Sequence, residues 1–122
     1  MQNYREVGGL YEGRVANWLS AHGYQILERN FRCRLGEIDL IAQKEGMVVF
    51  VEVKYRSGSA CGAPEEAVDY RKQVRISNAA SYYLYKHFYP QETSCRFDVA
   101  AVSRDGIRLI ENAFFYCGNF MT

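Results

Sequence analysis

Two apolar segments joined by a short polar one, Gly36-Glu-Ile-Asp-Leu-Ile-Ala42 and Val48-Val-Phe-Val-Glu-Val-Lys54, constrain this chain more than any other feature. Both alternate with the period of a strand. Lys44-Glu45-Gly46-Met47 between them suits a two-residue hairpin turn, because Gly46 adopts positive φ without a Cβ penalty. Pairing Lys44 with Met47 then fixes the register. Ile41 falls opposite Phe50, Asp39 opposite Glu52, and Glu37 opposite Lys54, all on one face. The other face is wholly apolar, with Ile38, Leu40, Ala42, Val49, Val51 and Val53. A three-residue loop would turn Asp39 toward that apolar face, so the hydrophobic pattern argues against it.

Directly opposed residues of an antiparallel pair have Cβ atoms roughly 4.5–5.5 Å apart, and like charges there are destabilising. At an effective dielectric of about 20, two carboxylates at that distance repel by roughly 4 kcal/mol, a large share of a small domain's stability. Three things can offset this: a shared proton, Lys54 about 6.6 Å further along the strand, or a divalent cation held by hard oxygen ligands. A plainer arrangement pairs Glu37 with Lys54 on a solvated face and leaves water to separate Asp39 from Glu52. Val48, Phe50 and Ile41 share the face of these charges, which points to a covered site.

At 122 residues the chain is expected to form a single domain, residues 1–122. A hydrophobic content of 48% excludes disorder. No apolar run approaches the ~20 residues of a membrane span. The N-terminus also lacks a basic stretch followed by an apolar one, so a cytoplasmic location is expected. Cys33, Cys61, Cys95 and Cys117 show no Cys-x-x-Cys spacing and read as reduced thiols. A net charge of +1 does not announce a nucleic-acid binder, but local clusters do more. Arg29, Arg32 and Arg34 precede the acidic strand, Lys54 and Arg56 follow its partner, and Arg71, Lys72 and Arg75 share one helical stretch. The first two clusters flank the carboxylates, as positioning a polyanion requires.

Tyr4 to His22 carries Tyr11, Val15, Trp18, Leu19 and His22 at helical spacing, and Gly23 stops it. Glu12 lies on the flank of its packing face, one turn before Ala16. Tyr24 to Arg29 reads as a strand ahead of the hairpin. Ser57 to Ala63 reads as a flexible loop, and Pro64 with Glu65 and Glu66 as a helix start. Glu66 to about Phe88 reads as helix, with a break near Asp69 and a stripe of Val68, Lys72, Ile76, Ala79, Ala80, Tyr83 and Leu84. Arg96 to Val102 and Ile107 to Ile110 read as strands around an Arg104-Asp-Gly106 turn; Asn112 to Tyr116 is left unassigned. The expected fold is α/β, a mixed sheet flanked by helices in the order α-β-β-β-α-β-β.

A helix with an acid, a strand with Asp, a strand ending Glu-x-Lys, then helix and strand resembles the PD-(D/E)xK nuclease superfamily with its restriction-endonuclease-like core. More narrowly, the chain resembles the YraN family of small bacterial proteins. The carrying residues are Gly36 to Ala42, Phe50-Val-Glu-Val-Lys54 with Arg56, Pro64-x-Glu-Ala-Val68 with Lys72, and Arg96-Phe-Asp-Val99 with Asn112-Ala-Phe114. The resemblance implies that Asp39 and Glu52 ligate Mg²⁺ or Mn²⁺, that Lys54 assists the attacking water, and that Glu12 completes the acid set, binding metal through water. The Val53 carbonyl is expected to add a ligand. Arg32, Arg34, Arg56 and Lys72 are the expected nucleic-acid contacts, with Lys72 either a phosphate contact or a brace from helix to site. Tyr11 departs from the pattern, standing where relatives often show Gly, and Ile38 replaces the superfamily's Pro. Asp98 reads as a surface or supporting residue and not as a ligand.

The activity so implied is metal-dependent hydrolysis of DNA phosphodiester bonds in repair or recombination, near the Holliday-junction resolvases. The expected partner is DNA, with branched and single-stranded forms included and no membrane. Two-fold pairing of the chain would suit cleavage of two strands. The rival reading is a nucleic-acid-binding or helicase-adaptor module that keeps the fold with little activity alone. A binding domain for a small cation or cationic ligand leaves the flanking arginines unexplained.

Overall fold

The computed structural model describes residues 4–55 and 68–119. Its elements run α1 (Tyr4–Ala21), β1 (Gln25–Cys33), β2 (Gly36–Lys44), β3 (Met47–Tyr55), α2 (Tyr70–Lys86), β4 (Cys95–Ser103) and β5 (Gly106–Ile110), the order expected. The strands form one five-stranded sheet in sequence order. β3 and β4 are parallel, and the remaining neighbours are antiparallel. A parallel pair needs a long crossover, and α2 lies on this one. Among the described residues, no helix is long and apolar enough to cross a membrane.

The local signals explain the element ends. α1 stops where Gly23 takes φ 89° and the Tyr24 N–H donates to the Leu19 carbonyl at 3.0 Å, a left-handed helix terminus. α2 starts at Asp69, whose carboxylate accepts the Lys72 N–H at 2.8 Å and satisfies one of the helix's otherwise unpaired donors. The break expected near Asp69 is this cap; the expected helical residues Glu66 and Ala67, with Pro64, Glu65, Arg56 and the Ser57 to Ala63 loop, lie outside the described residues. In the hairpin, Glu45 (φ 52°) and Gly46 (φ 80°) both take left-handed conformations. Such a turn matches the twist of the strands it joins.

Each face of the sheet carries a core. On one, Ile76, Ala79, Ala80 and Tyr83 of α2 pack on Phe31, Ile41, Val48, Phe50, Phe97 and Val99. On the other, Val15, Ala16 and Leu19 of α1 pack on Leu40, Ala42, Val49, Val51, Ala100 and Val102. Complete burial of a side chain such as Phe50, 1% exposed, contributes roughly 1.5–3 kcal/mol. His22, expected on the packing face of α1, is exposed beyond the end of the helix, where its ring stacks on Trp18.

The hairpin register is the one derived from the sequence, Lys44↔Met47 through Leu40↔Val51. One expectation fails in the middle of β2. Ile38 packs on the α2 side with Phe31 and Ile41, while Leu40 packs on the α1 side, although residues two apart in a regular strand share a face. The cause lies in both strands. The β1–β2 ladder passes from Arg29↔Leu40 to Phe31↔Ile38 across Asn30, which stands at φ 54° and breaks the alternation. Asp39 sits at the corresponding point of β2.

Gly36 brings the β1–β2 turn against α2, since a Cβ there would lie 2.8 Å from the Arg75 carbonyl oxygen. A methyl group has no room beside backbone. Gly36→Ala is expected to lower the thermal midpoint by roughly 5–10 °C. In the same melting experiment Gly9→Ala, a helical position with open space, should be neutral or stabilising. A Gly36→Ala midpoint equal to wild type would refute the close approach.

Candidate active site

The β2–β3 ladder pairs residues as far as Leu40↔Val51, and Asp39 reaches across the next step. Its Oδ2 accepts the Val53 N–H at 2.8 Å. The Asp39 and Glu52 carboxyl groups face the same cavity, and Glu52 raises the cost of charge on Asp39, so the encounter expected from the register occurs, made by side chains where the strands part. Glu52 is only 5% exposed, as its apolar face-mates predict. The Lys72 ammonium contacts Glu52 Oε2, and Lys54 Nζ lies 3.8 Å from the same oxygen. A cavity of about 250 Å³ opens over this cluster, lined by Glu12, Asp39, Glu52, Val53 and Lys72, with Tyr11 and Tyr55 as one wall. α1 thus supplies an acid, β2 and β3 the central pair, and α2 a base.

Charge here is strongly coupled. Burial, the neighbouring Glu52 carboxyl and the repulsion of its charge push Asp39 from the usual carboxylate value up to about 9, against the pull of the Val53 N–H. Near neutral pH Asp39 therefore holds a proton. Glu12 is raised as well, chiefly by burial, with Arg29 opposing and Glu37 and Glu52 adding to it. Its Oε1 is buried and has no hydrogen-bond partner among the described residues. Burial lowers Lys54, and the neighbouring Lys72 lowers it further, against the attraction of Glu52 and Asp39. Burial acts to lower Lys72 too, but the bond and charge of Glu52 outweigh it and leave Lys72 raised.

Two neighbouring carboxyl groups, Glu52 buried and Asp39 half-buried, and a buried Glu12 oxygen without a hydrogen-bond partner among the described residues fit a divalent cation, whose charge would replace the proton on Asp39. Among the described residues, no three Asp, Glu, His or Cys side chains converge closely enough to hold an ion by themselves. That donor set suits Mg²⁺, which binds through one or two carboxylates and fills its shell with water and phosphate oxygens.

The remaining expected residues are divided. Val53 lines the cavity and bonds Asp39 through its N–H. Glu37, expected as the cross-strand partner of Lys54, instead pairs with Arg32 at 3.2 Å, because Lys54 turns to Glu52. Arg32 lines a neighbouring cavity that also contains Lys72. Arg34 lies one cavity further on and is not brought to the carboxylates. Arg56 lies outside the described residues. Asp98 is not at the surface: it is 1% exposed, takes Arg96 Nε and Nη2 on its two oxygens and accepts the Asn112 N–H.

The family model described as "Uncharacterised protein family UPF0102" matches residues 11–102. The chain belongs to UPF0102. Its UPF0102 relatives include a Lachnoclostridium phytofermentans protein, 55% identical over 111 residues that cover 90% of this chain and 94% of the relative. A Symbiobacterium thermophilum protein is 50% identical over 115 residues, covering 90% and 97%. One from Caldicellulosiruptor bescii is 42% identical over 118, covering 92% and 99%. UPF0102 is the YraN family that the motifs resemble. Among solved structures, SfsA of Pyrococcus furiosus in complex with Ca²⁺ aligns with a TM-score of 0.35 and 12% identity over 88% of this chain; the chain spans 62% of that protein's length.

For this UPF0102 member, sequence reasoning missed the aromatic wall and named Lys72 as a phosphate contact or a brace to the site without its partner. Tyr11 and Tyr55 stack with ring centroids 4.5 Å apart and planes 8° apart. The departure at Tyr11 was the available signal, since a ring placed one residue before an acid that lines the cavity must find a surface. Nothing local in the sequence pairs Lys72 with Glu52.

Asp39 provides a pH test in metal-free buffer. An acid whose pKa is raised on folding contributes stability fully below its unfolded value, near 4, and loses that contribution as pH rises toward the folded value. Asn keeps an acceptor for the Val53 N–H and removes the titration. Asp39→Asn should therefore melt close to wild type at about pH 4 and roughly 5 °C or more above it at about pH 8. A difference that does not change with pH would contradict the proton on Asp39.

Proposed function

We propose that this protein is a metal-dependent nuclease that hydrolyses DNA phosphodiester bonds, of the kind that resolves branched DNA in repair or recombination. The observation that carries the proposal is the buried Asp39–Glu52 pair, held together beside two lysines in an open cavity. Asp39 and Glu52 would hold Mg²⁺ or Mn²⁺, with Val53 adding its carbonyl and Glu12 acting through water. The ion, when bound, would polarise the phosphate and acidify a water. Lys54, with its pKa lowered by burial, is suited to orient a water and donate a hydrogen bond to it. Lys72 holds Glu52 in place and offers a cation to the incoming phosphate. The Val53 N–H fixes the Asp39 carboxyl, so the acids are oriented before substrate arrives.

One observation favours the second reading, a nucleic-acid-binding or helicase-adaptor module with little activity alone. Lys72 already occupies the Glu52 oxygen that a cation would take. In that reading a partner or substrate must first draw the lysine away.

The test is incubation of wild type with linear, single-stranded and branched DNAs, with and without Mn²⁺. Asp39→Asn and Lys54→Ala run alongside. Mn²⁺-dependent cleavage by wild type, reduced at least ~100-fold in both variants, is expected. Cleavage at wild-type rate by both variants overturns the assigned roles, and no cleavage of any substrate in Mn²⁺ favours the adaptor.

A further inference from the structure

The carboxylate cavity does not stand alone. Lys72 also lines a larger cavity of about 540 Å³ between α2 and the β1–β2 turn, to which Arg71, Arg75 and Arg32 contribute. Arg32 in turn lines a third, with Arg34, Tyr82 and Lys86. Tyr82 and Lys86 line a fourth, of about 590 Å³, with Tyr85, Phe88 and Tyr89. Shared residues thus link four cavities into one track along α2.

Helical spacing explains the alignment, because Arg71, Arg75, Tyr82 and Lys86 fall on one face at 3.6 residues per turn. From Lys72 to Lys86 the helix advances about 21 Å. Two acids border the basic part, and both are engaged: Glu37 with Arg32, and Asp69 with the Lys72 N–H. The far end changes character. Tyr85 is 67% exposed and Phe88 92% exposed, the latter at φ 61°, where a side chain beyond glycine is strained. The positive φ belongs to the helix end, where the Phe88 N–H donates to the Tyr85 carbonyl and the Tyr89 N–H to the Leu84 carbonyl, and this termination presents the ring to water.

We infer that α2 carries a single DNA strand away from the carboxylate site, with phosphates on its arginine-rich half and unpaired bases stacked on Tyr85 and Phe88. Cations followed by exposed rings are the combination that binds single strands without reading sequence. A paired duplex keeps its base faces stacked and cannot use the rings. The inference deepens the nuclease reading and rests on it for the identity of the polyanion. It narrows the substrate to DNA with an unpaired segment beside the scissile bond.

Binding is measured by fluorescence anisotropy with Asp39→Asn protein in EDTA, so that neither metal nor cleavage is involved. The probes are an oligothymidine of about 12 nucleotides and a blunt duplex of the same length. Tighter binding of the single strand is expected. Tyr85→Ala with Phe88→Ala should weaken single-strand binding roughly ten-fold or more and leave duplex binding within about two-fold, whereas Arg71→Ala with Arg75→Ala should weaken both. Equal affinity of the ring variant and its parent for the oligothymidine overturns the inference, as does a preference for duplex. Loss of self-association in the ring variant with DNA binding intact would also overturn it, by assigning the rings to a second copy of the chain. Because metal is excluded, wild type that cuts DNA while the ring variant binds normally refutes the track alone. Single-strand binding through the rings by a wild type that never cuts refutes the nuclease reading alone.

Discussion

Two carboxyl groups forced together where β2 and β3 part set the terms for everything around them. Asp39 and Glu52 face one cavity, and the arrangement persists because each is held from elsewhere. The Val53 N–H anchors one, and Lys72 anchors the other. Removing charge from water is costly, yet Glu52 is buried beside a core that includes Phe50 and Val99. The hairpin, the crossover helix and α1 all meet at this point, so the sheet's two cores and its reactive groups are parts of one construction.

Much of this was legible in the residues, for physical reasons that also explain the failures. Strand alternation and a glycine-containing turn determine register locally, so the pairs from Leu40↔Val51 to Lys44↔Met47 could be derived before any coordinates. The face switch at Ile38 could not. It depends on Asn30 taking a left-handed conformation one strand away, and asparagine only permits that conformation without requiring it. The partner of Lys72 was hidden for a related reason. Its contact with Glu52 depends on where a crossover helix lands on the sheet, which is settled by packing of Ile76 and Tyr83 against Phe31 and Phe50 and by the missing Cβ at Gly36.

Position along the chain and position in charge are matched in an ordered way. Glu12, Asp39 and Glu52 come from three different elements and face one cavity, while the arginines of α2 lie one cavity beyond. Lys72 belongs to both. A cation placed between an acid pair and a basic surface is within reach of Glu52 and borders the cavity where an anion would enter. Phosphate at the basic side would therefore compete directly with Glu52 for Lys72. Freed of its lysine, Glu52 would bind a divalent cation more readily, which couples substrate and metal through one side chain.

The contrast with Asp98 separates a structural charge from a reactive one. Asp98 is as buried as Glu52, and burial likewise raises its pKa, against Arg96 and the Asn112 N–H. But both of its oxygens are satisfied: Arg96 grips them with two nitrogens and is itself held by the Tyr24 hydroxyl at 2.9 Å. Such a fully bonded pair ties β4 to the end of α1 and has no capacity left for a ligand. At the other cluster the bonding is incomplete: Glu12 Oε1 is buried without a hydrogen-bond partner among the described residues, and Asp39 is pushed toward its protonated form. Buried acids left in that condition lower the stability of the empty protein. An ion that joins them recovers the loss on binding, so the same deficit that weakens the fold favours occupancy of the site.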